Sequence, residues 1–148
     1  MADSLFPTFA LPTITLSTGN SGPTYNGSFL FDFAAGDFVL DGSGRVVRSG
    51  PYQAWAQWCA KSVLTEWNVY PIYDQNFGCE TEQALLDASR ELAQADLERT
   101  ISEGLLSDAR TQSVTDFVFN WSGDGVQVAF TVTPTVGTPQ QVEVFVGG

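Results

Sequence analysis

The sequence predicts an α+β fold: two main helices packed on a small antiparallel sheet, preceded by an extended N-terminal arm. Three observations predict it. Apolar residues recur with helical spacing over residues 51–66 and roughly 80–106. After Arg110 the period changes from about 3.6 to 2, the mark of strands. Residues 1–28 carry Pro7, Pro12, Pro23, Gly19, Gly22 and Gly27 among many Ser and Thr, a mix that favours extended chain over helix. A length of 148 residues suits one domain, so we assign residues 1–28 to the arm and 29–148 to a single domain. Neither an internal repeat nor a second boundary interrupts it.

The arm is more than a spacer, because Phe6, Phe9, Leu11, Ile14 and Leu16 are too apolar for an inert linker. Packing on its own domain and packing on a neighbouring subunit are equally compatible with that pattern. Phe29, Phe31 and Phe33 then alternate, as do Phe38 and Leu40, with turn formers at Asp41-Gly42 and Ser43-Gly44 and a return at Val46-Val47. Two or three short extended segments follow from this spacing. The first helix opens with Pro51 after Ser49, a residue suited to an N-cap. Tyr52, Trp55, Cys59 and Val63 form its apolar stripe, flanked by Ala56 and Leu64, with Trp58 off the stripe centre. Asn68 and Pro71 end it, and Gly78 allows a tight turn before the second helix. There Leu85, Ala88, Leu92, Ala95 or Asp96, and then Leu97, Ile101 and Leu105 mark the buried face.

The tail reads as a β-hairpin: Phe117–Trp121, a turn at Gly123-Asp124-Gly125, then Val126, Val128, Phe130 and Val132 in alternation. A last short strand runs through Val142, Val144 and Val146. It either closes its own sheet or pairs in trans.

Composition removes several function classes. With 43% hydrophobic residues the chain can build a core and is not a disordered protein. Six basic against seventeen acidic residues, a net charge of −11, argue against a nucleic-acid partner. No apolar run approaches the roughly 20 residues of a membrane span, and the first residues lack the basic and apolar regions of a signal peptide. Assembly in a cytoplasm is the resulting expectation. The chain has no histidine and only two cysteines, which leaves no basis for a transition-metal site or a histidine-based triad. Cys59 and Cys79 read as buried free thiols, although pairing is open to them. We expect no cofactor.

Candidate chemistry is sparse. Glu66 lies at a helix end beside Trp67, and a carboxyl against an indole can serve as the acid of a glycosidase. Seventeen acids guarantee a second carboxylate somewhere, so a helix-end salt bridge or backbone hydrogen bond is the better reading of Glu66. The glycines of "DGSG" and "SGDG" belong to hairpin turns, since neither segment has a phosphate-loop lysine or the calcium-loop pattern. The aromatics Phe29, Phe31, Phe33, Trp55 and Trp58 could form a carbohydrate platform, but core packing explains most of them. Asp108-Ala109-Arg110 sits where helix gives way to strand. Its plain reading is a cation on the helix C-terminal carbonyls; the alternative is a positioned Asp/Arg pair aimed at a partner.

The order of four segments resembles the gene-25-like baseplate wedge family of contractile-tailed phages, related to the small wedge subunit of type VI secretion baseplates. These are "FDFAAGDFVLDGSGRV", "WAQWCAKSVLTEWNVYPIYDQNFGCE", "LERTISEGLLSDARTQSV" and "VTDFVFNWSGDGVQVAFTV". The likeness runs from about residue 28 to 146. Asp108, Ala109 and Arg110 fall on the family's Glu-Pro-Arg signature, where Arg is identical, Asp keeps the charge and Ala lacks the proline constraint. "LTEWNVY" keeps Glu66 but lacks the following Arg of other branches.

The resemblance implies a structural subunit rather than an enzyme. It would bridge the core bundle of larger baseplate wedge proteins to the first ring of the tail sheath protein, with tail hub or tube proteins as further candidate neighbours. Asp108, Arg110 and Glu66 are then the expected wedge contacts. Val142, Val144, Val146, Val128 and Phe130 are the expected strand edges for the sheath, in a virion baseplate assembled in the host cytoplasm. The alternative is a lysozyme-like peptidoglycan hydrolase using Glu66; a plain carbohydrate-binding module is a third reading.

Overall fold

A computed structural model describes residues 22–148; the first 21 residues of the expected arm lie outside them. Among the described residues the fold is mixed α and β, with small antiparallel sheets and three helices. Two short ribbons come first: β1 (Ser28–Phe29) pairs with β4 (Arg48–Ser49), and β2 (Phe31–Asp32) pairs with β3 (Asp37–Phe38). Asp41 closes the turn between β3 and β4, its Oδ1 accepting from the backbone N–H groups of Ser43 and Arg45 at 2.8 and 2.9 Å. The ribbons hang on the first helix through Gln57. Its Oε1 accepts from Phe31 N at 2.6 Å, and its Nε2 donates to Phe29 O at 3.3 Å.

Helix α1 (Pro51–Leu64) has Pro51 in its first turn, but Gly50 rather than Ser49 occupies the N-cap, without a side-chain cap bond. Ser49 is instead held in β4 and buried. The stripe Trp55, Cys59 and Val63 is buried as expected, whereas Leu64 turns outward.

The second expected helix is two: α2 (Thr81–Leu85) and α3 (Arg90–Leu106). Ser89 causes the break. Its Oγ accepts from Leu92 N at 3.3 Å, satisfying one of the N–H groups that a helix start leaves unpaired. The apolar spacing carries on across the break, but Leu92 is exposed and Ala93 takes the buried position. Ser89→Ala should lower the unfolding free energy by about 0.5–2 kcal/mol, measured by urea denaturation, with no change in the denaturant slope.

Strands β5 (Thr111–Ser122), β6 (Gly125–Pro134) and β7 (Gln140–Val146) form one antiparallel sheet in the order β5-β6-β7. Gly123 and Asp124 make the two-residue turn, with Gly123 at φ 61°. All six inward valines and Phe130 of β6 and β7 meet the helices: Val126, Val128, Phe130 and Val132 on one strand, Val142, Val144 and Val146 on the other. Trp55, Cys59 and Val63 of α1 and Leu97, Ile101 and Leu105 of α3 cover them. Both thiols are free and buried in this core, and burial pushes Cys79 up to about 12 and Cys59 higher still.

Candidate partner-binding site

Helix α3 ends at a short corner, Ser107–Arg110, that feeds β5. Asp108 lines up with its own chain first: Arg110 N donates to Asp108 Oδ1 at 2.8 Å, an Asx-type closure of the corner. The Arg110 side chain then folds back on the same carboxylate. Nε reaches Oδ1 at 3.0 Å and Nη2 reaches Oδ2 at 2.6 Å, the two-pronged geometry a guanidinium is built for. The side chains are 24% and 14% exposed, so the pair is largely but not wholly shielded from water. Burial alone would raise the Asp108 carboxyl; the hydrogen bonds and charge of Arg110 outweigh it and hold the group below its ordinary value. Those same hydrogen bonds raise Arg110, against the lowering effect of burial.

Other elements hold the corner from behind. The Arg110 guanidinium lies over the ring of Trp58 at 4.8 Å, so the tryptophan that sits off the α1 stripe supports the cation. Arg110 O accepts from Tyr25 OH at 2.5 Å and from Thr135 N at 2.9 Å, tying the corner to the chain start and to the end of β6. Arg110 thus pairs with Asp108 rather than with helix C-terminal carbonyls, which corrects the plain reading of that cation. Sequence patterning gave no sign of Gln57 or Tyr25 as anchors, because each bonds to backbone atoms far along the chain.

Glu66 is elsewhere in its bonding. Its Oε2 accepts from Glu82 N at 3.1 Å and Thr81 Oγ1 at 3.3 Å, which fixes the start of α2 against the end of α1. Among the described residues no hydrogen bond or ion pair joins it to Asp108 or Arg110. A carboxylate engaged with two donors is a brace between elements, in line with the helix-end reading.

The expected strand edges need one correction. Val128 and Phe130 lie on β6, the central strand, whose backbone is paired with β5 on one side and β7 on the other. They offer no edge. Val142, Val144 and Val146 lie on the outer strand β7, but their side chains are buried in the core. What β7 can present is its outer row of backbone groups, together with the exposed side chains of Gln141, Glu143 and Phe145.

Residues 27–137 match the model of the contractile injection system sheath initiator, a span from just before β1 to just past β6. The chain belongs to this family. As a sheath initiator it is a structural component of a contractile injection system and not an enzyme, so the hydrolase alternative for Glu66 falls. One relative of this sheath initiator is the phage-like element PBSX protein XkdS of Bacillus subtilis (strain 168), 36% identical over 85 residues, or 56% of the chain. The chain spans 60% of that relative's length. Glu66, Asp108 and Arg110 lie inside the matched family region, while β7 lies beyond it.

Proposed function

We propose that the chain is a gene-25-like baseplate wedge subunit that joins larger wedge proteins to the first sheath ring of a contractile phage tail. In this reading residues 29–148 are the wedge domain and residues 1–28 its arm. The subunit works in the tail baseplate of a virion assembled in the host cytoplasm, with sheath and wedge proteins as partners. The Asp108–Arg110 corner meets the wedge core bundle, with Glu66 bracing the helices behind it. The free edge of β7 templates the sheath by accepting a donated strand.

The observation that carries this reading is the outer edge of β7, which no strand covers among the described residues, in a sheath initiator. A strand edge with unpaired N–H and C=O groups recruits another strand through main-chain hydrogen bonds, which need no particular sequence in the donor. An initiator has to supply that first template, because a sheath subunit in later rings receives it from the ring below. Particles assembled without this chain should form baseplates and tubes that carry no sheath, scored by negative-stain electron microscopy. Normally sheathed tails in its absence would refute the proposal.

A further inference from the structure

Between α1 and the β1–β3 ribbons runs a groove of about 540 Å³. Its apolar surface comes from Phe29, Phe31, Phe38 and Trp58, and its cations are Lys61 and Arg110. Phe29 and Phe38 are 47% and 48% exposed, more aromatic surface than a solvated face normally leaves uncovered. Among the described residues no Asp or Glu lines the groove, although the chain holds seventeen acids and six bases. The surface is therefore an apolar recess in an acidic protein whose charged lining is cationic, with Lys61 free of an ion pair among the described residues and Arg110 already paired with Asp108 from outside the groove.

Three of the polar groups there are donors left with capacity. Arg110 uses Nε and Nη2 on Asp108, and among the described residues Nη1 has no acceptor. Lys61 makes no ion pair among the described residues; its Nζ sits over the Tyr73 ring at 4.9 Å. Trp55 also lines the groove, is 1% exposed, and its Nε1–H has no acceptor among the described residues. A buried donor without a partner is costly and calls for an acceptor.

We infer that this groove docks a segment of a partner protein that carries a carboxylate next to apolar side chains. The apolar residues fill the space among Phe29, Phe31 and Phe38. The carboxylate takes the open side of Arg110 and the ammonium of Lys61, where stacking on Trp58 already fixes the guanidinium. The inference rests on the wedge reading only in naming the source, one of the larger wedge proteins.

The test is an NMR titration of the full-length 15N-labelled chain with the peptide Ac-DLFDL-amide and its basic counterpart Ac-KLFKL-amide. The acidic peptide should shift the Trp58 indole and Gln57 side-chain signals, and the basic one should leave them in place. Lys61→Glu and Phe38→Ser, both at exposed positions, should each weaken the acidic peptide by about tenfold or more. Equal binding of the two peptides, no shift at millimolar peptide, or shifts confined to another surface would overturn the inference. So would Phe6→Ser moving the Trp58 signal without peptide, which would make the chain's own arm the occupant. In reconstituted particles, loss of wedge assembly in Arg110→Ala with normal assembly in Phe38→Ser and Lys61→Glu would sink the groove and spare the wedge reading.

Discussion

Arg110→Ala should abolish co-purification of the chain with larger wedge proteins and also lower its own stability by about 2–4 kcal/mol. The two effects have different origins and can be separated. The stability loss arises because Asp108, only 14% exposed, is left as a carboxylate without its partner. Arg110→Ala combined with Asp108→Asn removes the stranded charge and should recover much of the stability while still failing to bind. Arg110→Lys keeps the charge but loses the fork on Asp108 and the flat stack on Trp58, so it too should bind poorly while folding.

Acid titration gives a further check on the same pair. Burial would raise the Asp108 carboxyl, yet its bonds to Arg110 keep it below the ordinary value of 3.8. A carboxyl lowered by folding adds stability that is complete above the unfolded value. That stability is lost as pH falls through the folded value. The wild-type chain should therefore lose this increment in the acid range, and Asp108→Asn should lack that part of the slope. Chemical denaturation at a series of pH values reads it directly. If Asp108→Asn kept the full acid slope, the pair would not be the source. Wedge binding retained in Arg110→Ala would end the partner role of the corner.

The elements easiest to read in the sequence are those whose burial has a single period. Trp55, Cys59 and Val63 face one way on α1, and Val126 to Val132 alternate cleanly on β6. The Gly123-Asp124 turn has the chemistry its geometry requires. The break between α2 and α3 was hidden because Leu85, Ala88 and Leu92 continue the helical spacing straight across it, while the cap at Ser89 is a competing local bond. The order of strands was hidden for another reason. Alternation tells which side chains face the core, but Val128 on the central strand and Val144 on the outer one alternate alike. Of the candidate site, the Asp108–Arg110 pair was visible as one of two readings of a two-residue spacing. Its support from Trp58, Tyr25 and Thr135 required chain segments far apart in sequence to meet.

Phe145→Lys should cut the fraction of sheathed tails at least tenfold while leaving the domain folded. The sheet has two outer strands, and they differ as templates. β5 is irregular between Thr115 and Val118, with Asp116 at φ 58°, a bulge that twists an edge away from pairing. β7 pairs with β6 in unbroken register from Gln140 to Val146 and contains no proline, so its outer row is regular, and no strand covers it among the described residues. Beside it lies a recess of about 510 Å³ walled by Leu30, Phe31, Val39 and Leu64, into which an inserted strand could place apolar side chains. Removing β7 outright would not test this, because Val142, Val144 and Val146 belong to the core and their loss would unfold the domain. Phe145 is 48% exposed and its ring lies over Gly125. Lysine keeps an alkyl stem there and sets a charge on the edge, the device by which natural edges avoid pairing. Val118→Lys, at a position 53% exposed on β5, is the matched control and should leave sheathing intact. Each change is expected to alter stability by no more than about 1 kcal/mol. Normal sheathing in Phe145→Lys would reduce β7 to a strand that closes its own sheet, and loss of sheathing in Val118→Lys alone would move the template to β5.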